Sequence, residues 1–286
     1  MAKTLLSFGH GFSARAFTDL VLPLGWDVTG TTRTEDKALV IRATGVRVLL
    51  WPGTDPVSFD GVTHLLISAG PGEGGDPVLA AFRDEIAKRA AQFEWVGYLS
   101  TTGVYGNHDG GWVDETTPLT PSTRRGRWRK EAEDAWQAIP DLPLHIFRLA
   151  GIYGPGRGPF EKVRNGTAKR VIKPGQVFSR IHVEDIAQVL LASVNRPNPG
   201  AIYNLCDDDP APPQDVLGFA AELLGYPLPP EVDFETAEMS PMARSFYSDS
   251  KRVRNNRIKD ELGVVLKHPT YKAALTAMLE AEKRAK

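Results

Sequence analysis

The stretch Thr4 Leu5 Leu6 Ser7 Phe8 Gly9 His10 Gly11 Phe12 Ser13 Ala14 runs an apolar strand straight into a glycine turn. Beyond the turn, Phe12, Phe17, Leu20 and Val21 recur at helical spacing, so the order is strand, glycine loop, helix. In that setting GxGxxA reads as a dinucleotide-binding fingerprint. Gly9 permits the tight turn and Gly11 admits a pyrophosphate close to the backbone. Ala14 lets helix and strand pack closely, and the helix N-terminus, with Phe12 and Ser13, faces the anion. A plain turn holding two glycines is the competing reading, and the rest of the chain decides between them.

Working outward, short apolar runs alternate with amphipathic stretches, the pattern of a parallel sheet covered on both faces. Strands are predicted at Trp26 to Thr32, Val46 to Leu50, Thr63 to Ser68, Trp95 to Ser100 and Leu144 to Leu149. Between the fourth and fifth, Asp76 is placed to cap a helix, Pro77 suits its first turn, and Val78, Phe82 and Ile86 share one face. This is a doubly wound α/β sheet, whose ligands lie beyond the carboxyl ends of the strands. After Gly154 Pro155 Gly156 the alternation becomes less regular, and a lobe boundary is expected near Tyr153. That gives a nucleotide-binding domain over 1–153 and a smaller substrate lobe over 154–286, with some segments returning to the first domain. In the second part, Val183 to Val194 and Asp215 to Leu224 read as helices and Ala201 to Leu205 as a strand. Gly225 stops the second helix, and Thr270 is placed to cap a last one.

Composition sets bounds. A length of 286 residues suits one large α/β domain or a domain with a smaller lobe. A formal net charge of -1 argues against a generic nucleic-acid or membrane-surface partner. The single cysteine, Cys206, excludes an internal disulfide framework and a cysteine-rich metal site, and no metal is expected. With no leader-like start and no run approaching the ~20 apolar residues of a membrane span, a soluble cytoplasmic protein is the expectation.

The strand ends carry the chemistry. The second closes on Thr31 Thr32 Arg33, where a carboxylate would accept hydrogen bonds from an adenosine 2′-hydroxyl and an arginine would pair with a 2′-phosphate. Arg33 therefore favours NADP over NAD; the alternative makes Arg33 a solvated charge and turns Glu35 or Asp36 back to the ribose. The fourth closes on Ser68 Ala69 Gly70, small residues that let a cofactor pass near the backbone.

The fifth closes on Ser100 Thr101 Thr102 Gly103 Val104 Tyr105 Gly106, and this segment resembles the S/T-x-x-VYG stretch of the extended short-chain dehydrogenase/reductase superfamily, the NAD-dependent epimerase and dehydratase group. Arg148 to Arg157 is similar to its RxxxxYGPGR segment, Arg180 to Ala187 to its hVxDxA segment, Tyr203 Asn204 to its YN strand, and Ser250 Lys251 with Leu262 Gly263 to its C-terminal pattern. The resemblance implies a Rossmann-type NAD(P)-binding domain, a small-molecule substrate held against a C-terminal lobe, and a Ser/Thr, Tyr, Lys active site. Family members often pair through the helices flanking the fifth strand, which leaves a homodimer open.

Thr101 matches the family's Ser/Thr position. Aligning Gly126 and Glu133 with the family's YxxxK helix puts Arg125 at the Tyr position and Arg129 at the Lys position, so the resemblance implies an atypical member without the catalytic Tyr. A guanidinium stays charged and can only donate hydrogen bonds. Arg129 could hold a ribose hydroxyl, and Arg125 could clamp an anionic substrate or stabilise an oxyanion. A one-residue slip would put Lys130 in place of Arg129. The competing reading is a solvated helix face laced by Arg127–Glu131, Arg129–Glu133 and Lys130–Asp134 pairs. Replacement acids are sought among Tyr105, Tyr153, His182 and Asp185, with Tyr153 first because it should lie near the nicotinamide. Two functions remain: an NAD(P)-dependent oxidoreductase- or epimerase-like enzyme acting on a small polar, sugar-derived or anionic substrate, or a non-catalytic NADPH-binding sensor or scaffold.

Overall fold

In a computed structural model that describes residues 3–285, seven parallel strands form one sheet. They are β1 (Thr4–Phe8), β2 (Asp27–Thr32), β3 (Arg47–Leu50), β4 (His64–Ile67), β5 (Trp95–Thr101), β6 (Leu144–Leu149) and β7 (Ile202–Leu205). Their spatial order is β3-β2-β1-β4-β5-β6-β7. The order reverses between β1 and β4, which is the switch point where a doubly wound sheet binds its ligand. β7 comes from the later part of the chain and extends the sheet beyond β6, with Ile202 in register with Ile146.

Central strands are sealed because helices cover both faces. β4 is buried at every residue, as is β6. On one face α1 (Phe12–Val21) packs against α5 (Val183–Asn195), and Phe17 and Val21 join Ile186, Val189 and Leu190 in one apolar cluster. On the other, α3 (Pro77–Lys88) and α4 (Arg124–Gln137) contribute Val78, Leu79, Ala132 and Trp136. A third cluster joins α6 (Pro213–Leu224) and α7 (Tyr271–Arg284) around Tyr153, Phe160 and Tyr271. α2 (Glu35–Arg42) connects β2 to β3.

The caps follow the sequence signals. Asp76 accepts from the Val78 and Leu79 amides at 2.9 and 3.1 Å, and Thr270 accepts from Ala273 N. Gly225, at φ +70°, closes α6. No helix among the described residues is long and apolar enough to cross a membrane. Cys206 is fully buried, its thiol donating to Val253 O.

Candidate active site

At the switch point the β1–α1 and β4–α3 loops meet. Gly9 sits at φ +74°, and a Cβ there would come within 2.7 Å of Ala69 N, so only glycine lets the loops approach this closely. The Phe8 carbonyl accepts from both Ser68 N and Ala69 N, and Gly9 N donates to Thr31 Oγ1 at 2.9 Å. Gly11 is the N-cap of α1 and offers no side chain, so the first amides of the helix have no side-chain partner. This is the chemistry an anionic pyrophosphate needs: free N–H donors at the positive end of a helix. The residues therefore fit a dinucleotide. Thr32, whose carbonyl accepts from Trp51 N, closes β2 beside this loop.

Arg33 lies exposed just beyond β2, and Glu35 is engaged by Arg42 within α2. The nearest carboxylate in sequence is thus paired within its own helix.

From Gly70 and Pro71, beyond β4, a cavity of about 900 Å³ runs along the ends of β5 and β6 and is lined by Thr101, Arg125, Arg129 and Tyr153, among others. Thr101, Arg125, Arg129 and the first-choice replacement acid Tyr153 all border this one space. Thr101 ends β5, and its Oγ1 accepts from Gly103 N at 3.1 Å, which leaves its own proton free to donate. α4 is held close to this turn because Gly126 faces the Gly103 carbonyl, 2.8 Å from where a Cβ would stand. Arg129 donates to Leu99 O and to Tyr98 Oη, and its Nη2 would lie 3.2 Å from a Cβ at Gly70, so its guanidinium stands beside the β4 loop. Lys130 instead pairs with Asp134 at 2.7 Å on the outer face, which favours Arg129 over the slipped alignment.

Two of the three helix-face ion pairs expected from spacing do not form. Glu133 turns inward to a 2.7 Å salt bridge with Arg148, and Arg127 donates to Ser122 O. Both side chains of the buried bridge are sealed, and the Glu133 carboxylate also accepts from Ser100 Oγ.

The four candidate replacement acids separate. Tyr105 donates to Asn204 Oδ1 and accepts from Arg148, and burial pushes its phenol up to about 12. His182 caps α5, and Asp185 accepts from the Lys267 and His268 amides. Of the four, only Tyr153 borders the cavity. Burial raises its pKa strongly, the opposite direction from that needed for proton exchange near neutral pH, so it acts as a neutral hydroxyl. Sequence reasoning missed Lys251 and Arg180 as cavity residues. Lys251 Nζ donates to Gly106 O and to Asp249 Oδ2, and burial lowers its pKa. The Ser250 Lys251 pair was visible as a motif, but nothing in it signals a return to the strand-end turn far earlier in the chain.

Sheet order, a glycine turn at the switch point and the cavity beside it define a Rossmann-type protein with the architecture of the NAD-dependent epimerases and dehydratases. No protein-family model matches the chain. The chain belongs to the same family as a functionally unknown conserved protein from Silicibacter pomeroyi DSS, with which it shares 66% identity and a TM-score of 0.95 over 98% of this chain and 99% of that one. Protein YeeZ of Escherichia coli strain K12 is 29% identical over 260 residues, 86% of this chain and 89% of that protein. A UDP-glucuronic acid 4-epimerase from Bacillus cereus, solved with UDP-glucuronic acid and NAD, matches with a TM-score of 0.78 at 14% identity over 99% of this chain and all of that one, a likeness of fold.

Proposed function

We propose that the chain binds NADP(H), in preference to NAD(H), at the Gly9–Ser13 turn, and acts as an oxidoreductase- or epimerase-like enzyme on a small polar, sugar-derived or anionic substrate. The observation that carries this reading is the uncapped N-terminus of α1 at the switch point, where Gly9 packs against Ala69 of the β4–α3 loop, whose next residue, Gly70, lines the cavity that holds Thr101 and Arg129. Gly9, Gly11, Phe12 and Ser13 would hold the pyrophosphate, Thr32 and Arg33 the adenosine ribose and its phosphate, and Ser68, Ala69 and Gly70 the passage toward the nicotinamide. The division into residues 1–153 for the nucleotide and 154–286 for the substrate belongs to the same reading.

When bound, the nicotinamide supplies a hydride carrier. The protein's own part is orientation and polarisation. The Thr101 hydroxyl, with its proton free, donates to the reacting oxygen of the substrate, and Arg129 holds the cofactor ribose beside Gly70. Arg125, at the position read as that of the family's Tyr, is exposed at the cavity and donates without exchanging a proton.

The test is hydride exchange from NADPH across sugar nucleotides, ketones and aldehydes, followed by nicotinamide absorbance. Turnover with one substrate class, reduced about 100-fold in Thr101→Ala, supports the enzyme. Tight NADPH binding with no turnover on any of them would make the protein a sensor or scaffold.

A further inference from the structure

We infer that Arg180 and Tyr153 form an oxyanion-binding site in the cavity wall, which anchors a carboxylate or phosphate group of the substrate. This deepens the functional reading above and rests on it only for the word substrate; the site itself stands on the following geometry.

Arg180 and Tyr153 belong to a short parallel pair, Arg180–His182 with Gly151–Tyr153, in which Arg180 is in register with Gly151 and His182 with Tyr153. Side chains two apart share a face, so Arg180 and Tyr153 stand on the same side, and Gly151 leaves room for the arginine stem. The T-shaped packing of Tyr153 on His182 shows that face directly. Both residues border the main cavity and a smaller one of about 190 Å³ behind it.

The guanidinium is fixed but not neutralised. Its Nη1 donates to Phe178 O at 2.9 Å and Ala211 O at 3.0 Å, and among the described residues no carboxylate oxygen lies within 4.0 Å of it. The two carbonyls occupy one nitrogen and leave Nε and Nη2, a side-on pair of donors matched to two oxygens of an anion. Tyr153 is 7% exposed, yet its hydroxyl has no hydrogen-bond partner. A buried orphan donor next to an unpaired cation is costly unless an acceptor arrives. The nearby Asp207, whose Oδ2 also lacks a hydrogen-bond partner, makes no salt bridge to Arg180, and although the Arg180 charge favours its ionised form, burial raises its carboxyl to about 8. Around Asp207 stand Arg180 and Tyr153 from the paired strands, Cys206, Asp208 and Asp209 on its own loop, and Tyr271 of α7 facing Asp209. Apolar side chains at the mouth, including Phe246 at 60% exposure, suit a flat or apolar body on the anion.

Titration calorimetry with benzoate, phenyl phosphate and the neutral isostere benzamide tests this. We expect one of the two anions to bind and benzamide to fail, with the stronger anion identifying carboxylate or phosphate as the natural group. Arg180→Gln should weaken that anion about tenfold or more, and Tyr153→Phe less. Should Arg180→Gln not fold, the pH profile of the intact protein decides. Affinity should hold below about pH 8 and fall above it as Asp207 ionises and competes for Arg180, and Asp207→Asn should flatten that fall. Equal binding of benzamide, an unchanged Arg180→Gln, a flat profile in the unsubstituted protein, or no binding of either anion would overturn the site. Loss of NADPH binding alone would count against the cofactor reading and leave this one standing.

Discussion

Glu133 and Arg148 are joined by a salt bridge of 2.7 Å whose side chains are 0% and 3% exposed. It links α4, which carries Arg125 and Arg129, to β6, and Arg148 continues to Tyr105 Oη at 3.0 Å under the turn that follows Thr101. Replacing Glu133 by Ala leaves a buried guanidinium without its counter-charge, a loss of about 3–5 kcal/mol. Urea unfolding of Glu133→Ala should show this as a lower midpoint, and a midpoint shift worth less than about 1 kcal/mol would mean that the pair is not sealed.

Gly126 adds the steric half of the same attachment. A Cβ there would stand 2.8 Å from Gly103 O and 2.9 Å from Pro121 Cβ, so Gly126→Ala must push α4 away from the Thr101 turn. The expected result is a loss of about 1–3 kcal/mol in stability, together with a fall in any hydride-exchange rate, since both arginines ride on the displaced helix. Unchanged stability would show that the helix can shift freely.

Cofactor discrimination rests on Arg33. Glu35 is engaged by Arg42, which leaves Asp36, in the first turn of α2, as the carboxylate that competes for the ribose end of β2. Arg33→Ala should weaken NADPH by about 10- to 100-fold, the range for a hydrogen bond between charged groups, and leave NADH nearly unchanged. Equal losses for the two cofactors would remove the 2′-phosphate from the account.

Stability should have an acid limb set by histidines. Burial lowers His10, His64, His145 and His182 to about 4 from an ordinary 6.5. The unfolded chain then binds more protons than the folded one between about pH 4 and 6.5, so stability rises with pH across that window. Each histidine is worth up to about 3 kcal/mol at the bottom of the window, and all four acting fully would amount to ~12 kcal/mol, comparable to the ~5–15 kcal/mol stability of a domain. Asp207 has the opposite sign: its folded pKa is raised to about 8, so the stability it contributes below its ordinary range is lost as pH climbs to 8. Asp76, Glu115 and Asp185, also raised by burial, act in the same sense. Melting temperature should therefore fall below pH 6 by the amount that the four histidines outweigh these carboxylates, and Asp207→Asn should flatten the alkaline side and steepen the acid one. A melting temperature constant from pH 6.5 to 5 would contradict the buried neutral histidines.

Much of this molecule could be read from local sequence because its determinants are local. The glycine turn after β1, the five strands that follow and the Asp76–Pro77 start of α3 are each specified by neighbours within a few residues, and each lies within a residue or two of its expected place. The misreading on α4 has a physical cause. Four-residue spacing shows that Arg129 and Glu133 share a face, but not that Arg148, from a strand fifteen residues on, claims the carboxylate first. Likewise, nothing near Lys251 announces that it reaches Gly106 O, 145 positions away, or that Arg180 borders the same cavity as Thr101. Long-range placement made the cavity, and a motif scan sees only its pieces.

The most direct test of the central claim is a calorimetric titration of the full chain with NADPH and, separately, NADH. The uncapped α1 and the free Arg33 predict saturable binding of one dinucleotide per chain, tighter for NADPH. No heat from either cofactor, at concentrations that saturate ordinary NAD(P)-binding enzymes, would contradict it.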